Sequence, residues 1–127
     1  MITVALDFDG TVVEHRYPEI GKEAEGVIDV MRKWIDKYNV GFILDTMRDG
    51  KELEEAIQWF SDRGIVLYGI GKNPTQHKWT TSTKCHAHFS IDDRNIGCPI
   101  KGEVVDWKAI DEMMSPYFDK ITANMTK

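Results

Sequence analysis

Apolar positions follow two rhythms along this chain. Short, nearly unbroken runs rich in β-branched and aromatic residues occupy 2–7 (ITVALD), 40–45 (VGFILD) and 65–70 (IVLYGI). Their length and content predict buried strands. A fourth candidate, HAHFSIDD at 86–93, also ends in acids. Between 20 and 38 the rhythm changes. Ala24, Val27, Ile28, Met31, Trp34, Ile35 and Tyr38 recur at helical spacing and put one apolar stripe on a helix.

A second helix is predicted from Asp49, which offers an N-cap side chain with Glu52 three residues on, as in a capping box. Leu53, Ala56, Ile57 and Phe60 follow on one face, and Gly64 suits the stop. Asp106 is placed to cap a last helix with Trp107, Ile110, Met113, Met114 and Tyr117 inward, and Pro116 ends or kinks it. Residues 98–105 are read as a short fifth strand. The order βαβαβ…βα predicts a three-layer, Rossmann-like α/β domain over 1–127. Its mostly parallel central sheet is covered by helices on both faces.

That architecture turns a scatter of polar residues into a site, because ligands bind beyond the carboxyl ends of parallel strands. Asp7 ends the first strand, Asp45 and Thr46 the second, Asp92 and Asp93 the fourth. Singly, a D-x-D or a D-D is common at turns. Together, in this order and each at a strand end, they point to one acidic rim. Crowded carboxylates raise one another's pKa, and a bound hard cation relieves the repulsion. Oxygen donors without paired Cys or His favour Mg²⁺, which in turn attracts a phosphoryl group. Gly10 lets the backbone turn sharply and offers an N–H to a phosphate.

Bulk composition narrows the setting. A net charge of −5 argues against non-specific nucleic-acid binding, which needs a basic surface. No run approaches the length of a membrane span, and the N-terminus lacks the charged start and cleavage site of a signal peptide. Cys85 and Cys98 make no disulfide framework, so the expected setting is cytoplasmic. With His86 and His88 the cysteines form no standard zinc spacing. The two histidines share one face of the predicted strand, opposite Ala87, Phe89 and Ile91.

DFDGT at 7–11 resembles the first signature of the haloacid dehalogenase superfamily of phosphohydrolases. FILDTMR at 42–48 and FSIDDRN at 89–95 resemble its second and fourth motifs. The resemblance implies an aspartyl-phosphate mechanism. Asp7 would be the nucleophile, Asp9 the general acid and base, and Thr46 a donor to the phosphoryl oxygens. Mg²⁺ would be held by Asp7, the backbone carbonyl of Asp9, and Asp93, with Asp92 close behind. It also calls for a lysine beside the phosphoryl group. Lys84 is favoured for its place just ahead of the fourth strand, with Lys72 and Lys78 as alternatives. Gly10 and Thr11 are expected at the substrate. Arg48 would either reach a substrate or pair with an acid of the rim, and Arg94 would brace the acidic turn.

Many members of that superfamily insert a cap domain, but the spacing here leaves no room for one. An open site would admit a bulky phosphorylated substrate, or a second subunit could cover it. The alternative is a phosphate-binding or receiver-like module without turnover. A receiver carries its acid pair and its phosphorylated Asp on different strands, whereas this D-x-D closes the first.

Overall fold

The computed structural model describes residues 1–125 and shows a three-layer, Rossmann-like α/β fold. Residues 126–127, the end of the predicted domain, lie outside the described residues. Strand β1 (Ile2–Leu6) leads to helix α1 (Val27–Tyr38), strand β2 (Val40–Leu44), helix α2 (Gly50–Asp62) and strand β3 (Gly69–Ile70). Strand β4 (Phe89–Ile91), the pair β5 (Ile100–Lys101) and β6 (Val104–Val105), and helix α3 (Trp107–Met125) follow. The main sheet has the order β3-β2-β1-β4, all parallel, while β5 and β6 form a separate antiparallel hairpin.

Even-numbered strand residues Val4, Leu6, Phe42 and Leu44 join the buried faces of all three helices in one core. Trp34 is its centre. It stacks on Phe42 at 6.1 Å and meets Phe118 edge-on at 4.8 Å. Its indole N–H donates to Asp111 at 2.9 Å, so the ring is buried without losing a hydrogen bond. The odd-numbered face buries Thr3, Ala5 and Ile43. The link from β3 to β4 must cross the sheet, and right-handed connection sends it over this opposite face. The third layer is this link, which holds one 3₁₀ turn (Gln76–Lys78) around the buried Gln76, so the helices expected on both faces stand on one. The Gln76 side chain ties Asn73, Ser82, Lys84 and His86 together by hydrogen bonds to their backbones.

Several boundaries depart from the sequence pattern for local reasons. Helix α1 starts at Val27 rather than near residue 20, because Gly26 takes a left-handed conformation (φ 76°) as its N-cap. Strand β3 keeps only two residues of 65–70, and Val66 is 85% exposed. Residues 98–105 fold as a hairpin, turning at Gly102 and Glu103, instead of one strand. Helix α3 does not end at Pro116 but continues past it to Met125. Phe118 and Ile121, one turn further on, reach the core, and their burial offsets the hydrogen bond that proline cannot make. Asp49 is the N-cap of α2, but its side chain makes no capping bond.

No described helix is long and apolar enough to cross a membrane. Among the described residues, no inserted domain stands over the carboxyl ends of the strands. Truncating Trp34 to Ala should cost about 3–5 kcal/mol, the range for a buried Trp. Truncating the exposed Val66 should cost about 0.5 kcal/mol or less. Urea unfolding followed by circular dichroism measures both.

Candidate active site at the carboxyl rim

The parallel ladder sets the site. Leu6 is in register with Leu44 on one side and Ile91 on the other. The ladder runs one residue further through Asp7 N–H to Ile91 O at 3.0 Å and Asp45 N–H to Leu6 O at 2.8 Å. Asp7, Asp45 and Asp92 therefore leave the sheet side by side. With Asp9, His15, Thr46, Met47, Asp93 and Arg94 they line an open hollow of about 360 Å³.

Three of the carboxylates converge. Asp7, Asp92 and Asp93 each present an oxygen within 4.8 Å of the others'. Thr11, fully buried, stands between two of them, with its hydroxyl 2.9 Å from Asp7 Oδ2 and 3.0 Å from Asp93 Oδ1. A hydroxyl has one proton, so it satisfies only one carboxylate at a time. The same oxygen accepts the Asp93 N–H at 3.0 Å. Burial pushes the Asp7 carboxyl up to about 7, with the charge of Asp92 adding to the effect. Asp45 is also raised, by burial first and then by Asp92. These groups are short of positive charge, and their hard oxygen donors suit a cation such as Mg²⁺.

Glycine is required at residue 10 twice over. Its φ is 85°, and a Cβ there would sit 2.7 Å from Asp93 Oδ2. The Gly10 N–H, expected at a phosphate, donates here to Val13 O at 2.7 Å and closes the turn. Thr11 likewise serves the carboxylates instead of a substrate. Its N–H bonds Phe8 O, and its own carbonyl is held by the Trp107 indole N–H at 2.9 Å. Thr46 faces the hollow, with its hydroxyl oxygen accepting the Arg48 N–H at 3.1 Å. That leaves its proton to donate.

Arg48 resolves the two options read from the sequence. It pairs with an acid of the rim and does not face a substrate. Nε donates to Asp9 Oδ2 at 2.7 Å and Nη2 to Asp9 Oδ1 at 2.8 Å. The Asp9 side chain is thus turned to Arg48 and is not one of the three converging carboxylates. Arg94 does not brace its turn through its guanidinium. The turn is held by the Arg94 N–H on Asp92 Oδ1 at 2.9 Å, while the side chain lines the hollow.

Lys84 is not brought to the acids. It is exposed and borders a different depression, with Gln76, Trp79 and Cys85. Lys72 donates to Ser82 O, and among the described residues neither it nor Lys78 lines the acidic hollow. Four residues intervene between Lys84 and β4, too many for the strand's register to fix where it points. Asp45 was the residue with no assigned role, although its place at a strand end already put it on the rim.

No family model matches the chain, and no curated protein matches it. Among solved structures it is similar to a conserved protein coded by a locus from Bacteroides thetaiotaomicron. The two are 40% identical, 91% of each chain is covered, and the TM-score is 0.78.

The raised Asp7 has a definite sign for stability. Its folded value of about 7 lies above the ordinary 3.8, so the folded state binds the proton more tightly. The resulting penalty is absent below the ordinary value and complete above about 7. Without divalent cations, Tm should therefore fall as pH rises through that window, and Asp7→Asn should flatten the fall. Added Mg²⁺ at pH 8 should raise Tm in the wild type more than in Asp7→Asn. Scanning calorimetry across pH tests all three outcomes. Identity and coverage at the level found make this chain a member of the family of the conserved Bacteroides thetaiotaomicron protein.

Proposed function

We propose that the protein is a Mg²⁺-dependent phosphohydrolase of the haloacid dehalogenase class, cleaving phosphate monoesters through an aspartyl-phosphate on Asp7. The observation that carries this reading is the convergence of Asp7, Asp92 and Asp93 at the carboxyl rim, in a hollow that Thr46 also lines. Asp7, Asp92 and Asp93, with the carbonyl of Asp9, would hold the ion. Its positive charge would offset the crowded carboxylates and the phosphoryl oxygens.

In the first step an Asp7 oxygen bonds phosphorus as the ester P–O bond breaks, and the leaving oxygen takes a proton from Asp9. In the second, water attacks phosphorus, Asp7 leaves as carboxylate, and Asp9 accepts the water's proton. Thr46 donates to a phosphoryl oxygen throughout, and Arg94 supplies a cation on the wall. The open rim suits an ester whose organic part stays outside the hollow. Two free thiols fit a cytoplasmic setting.

Purified protein should turn over p-nitrophenyl phosphate with Mg²⁺ and stop when the metal is chelated. Asp7→Asn should lower kcat by about 10⁴-fold or more, as loss of a nucleophile does. Asp9→Asn should lower it strongly while leaving Mg²⁺ binding measurable by calorimetry. No turnover across sugar phosphates, nucleotides and phosphopeptides would show a binding module instead.

A further inference from the structure

Arg48 touches neither solvent nor the hollow, with its side chain 1% exposed. All five of its N–H groups are spent. Two meet the Asp9 carboxylate, and the others donate to the carbonyls of Pro18 (3.2 Å), Glu19 (2.9 Å) and Glu52 (3.3 Å). The rings of Phe8 and Tyr17 each lie 5.2 Å from its central carbon. A guanidinium held by three carbonyls between two rings is a fixed plane, and the carboxylate must adapt to it. The parallel pair of bonds sets both the position and the twist of the Asp9 carboxylate. Each carboxylate oxygen has two acceptor sites, and the fork uses one on each. Asp9 also lines the hollow, so the remaining sites are available there.

We propose that Arg48 is a positioning residue that aims Asp9 at the water which hydrolyses the aspartyl-phosphate. This rests on the phosphohydrolase reading. In that step the water oxygen bonds phosphorus, and the P–O bond to Asp7 breaks with its electron pair returning to the carboxylate. One water proton passes to an Asp9 oxygen. The products are inorganic phosphate and free Asp7, and Asp9 later gives its proton to the next leaving oxygen or to solvent.

p-Nitrophenyl phosphate separates the two steps, because nitrophenolate departs without a proton and the first step then needs nothing from Asp9. Stopped-flow mixing with Mg²⁺ and excess ester should give no burst in the wild type. Arg48→Gln and Arg48→Lys should each release close to one nitrophenolate per protein in a burst. Steady turnover should then be roughly a hundredfold below wild type, the scale of lost acid–base assistance. kcat and KM should fall together, with kcat/KM held within about twofold. Arg48→Lys keeps the buried charge and carries the test if the glutamine variant does not fold. A fall in kcat/KM without a burst, in variants with wild-type circular dichroism, overturns the assignment, as does unchanged kcat. Wild-type protein that hydrolyses no ester overturns the phosphohydrolase reading and this role with it.

Discussion

In a parallel ladder, neighbouring strands end side by side, so whatever follows them is forced together. Here that constraint brings Asp7, Asp45 and Asp92 abreast at one edge of the sheet. Like charges at such spacing would ordinarily push the ends apart. The hydrogen-bonded register and the apolar core behind it hold them in place. The rest of the rim reads as a response to that enforced closeness. One hydroxyl is shared between two acids, one guanidinium is dedicated to a third, and the carboxyls of Asp7 and Asp45 carry raised affinities for protons.

The rim divides into a built part and an open part. Gly10, Thr11 and Arg48 make their contacts inward and fix where the carboxylates stand. His15, Met47 and Arg94 line the hollow from exposed loops, and Met47 is 95% exposed. The built part sets the positions of the carboxylates, while the open part faces solvent. The loop carrying His15 belongs to both. Its later carbonyls, Pro18 and Glu19, are anchored on Arg48, so the wall of the hollow and the orientation of Asp9 share one support.

The features legible in the sequence were those written in period and position. Apolar runs marked the strands, the stripe through Met31 and Trp34 marked a helix, and acids at strand ends marked the rim. What a linear pattern misses is competition for the same hydrogen bond. Gly10 looked free to meet a phosphate, yet Val13, three residues on, takes its N–H. Arg48 had two chemically equal options, and only the fold shows that the carbonyls of Pro18, Glu19 and Glu52 bury it against Asp9. Lys84 depended on the path of a link without regular structure, organised around the buried Gln76, a polar residue that no hydrophobic pattern would select. Pro116 failed as a stop because distant packing by Phe118 outweighed local propensity.

The bond from the Trp107 indole to the Thr11 carbonyl joins residues 96 positions apart. It has a consequence for the order in which the molecule is made. Strands β1 and β2 leave the ribosome early, carrying their acids, but the turn that shapes Asp7 and Thr11 has its brace in the last helix. Asp92 and Asp93 also arrive late, through β4. A nascent chain can lay down half the sheet and still have no organised rim. Until β4 and the first turn of α3 have followed, the growing chain has no assembled rim.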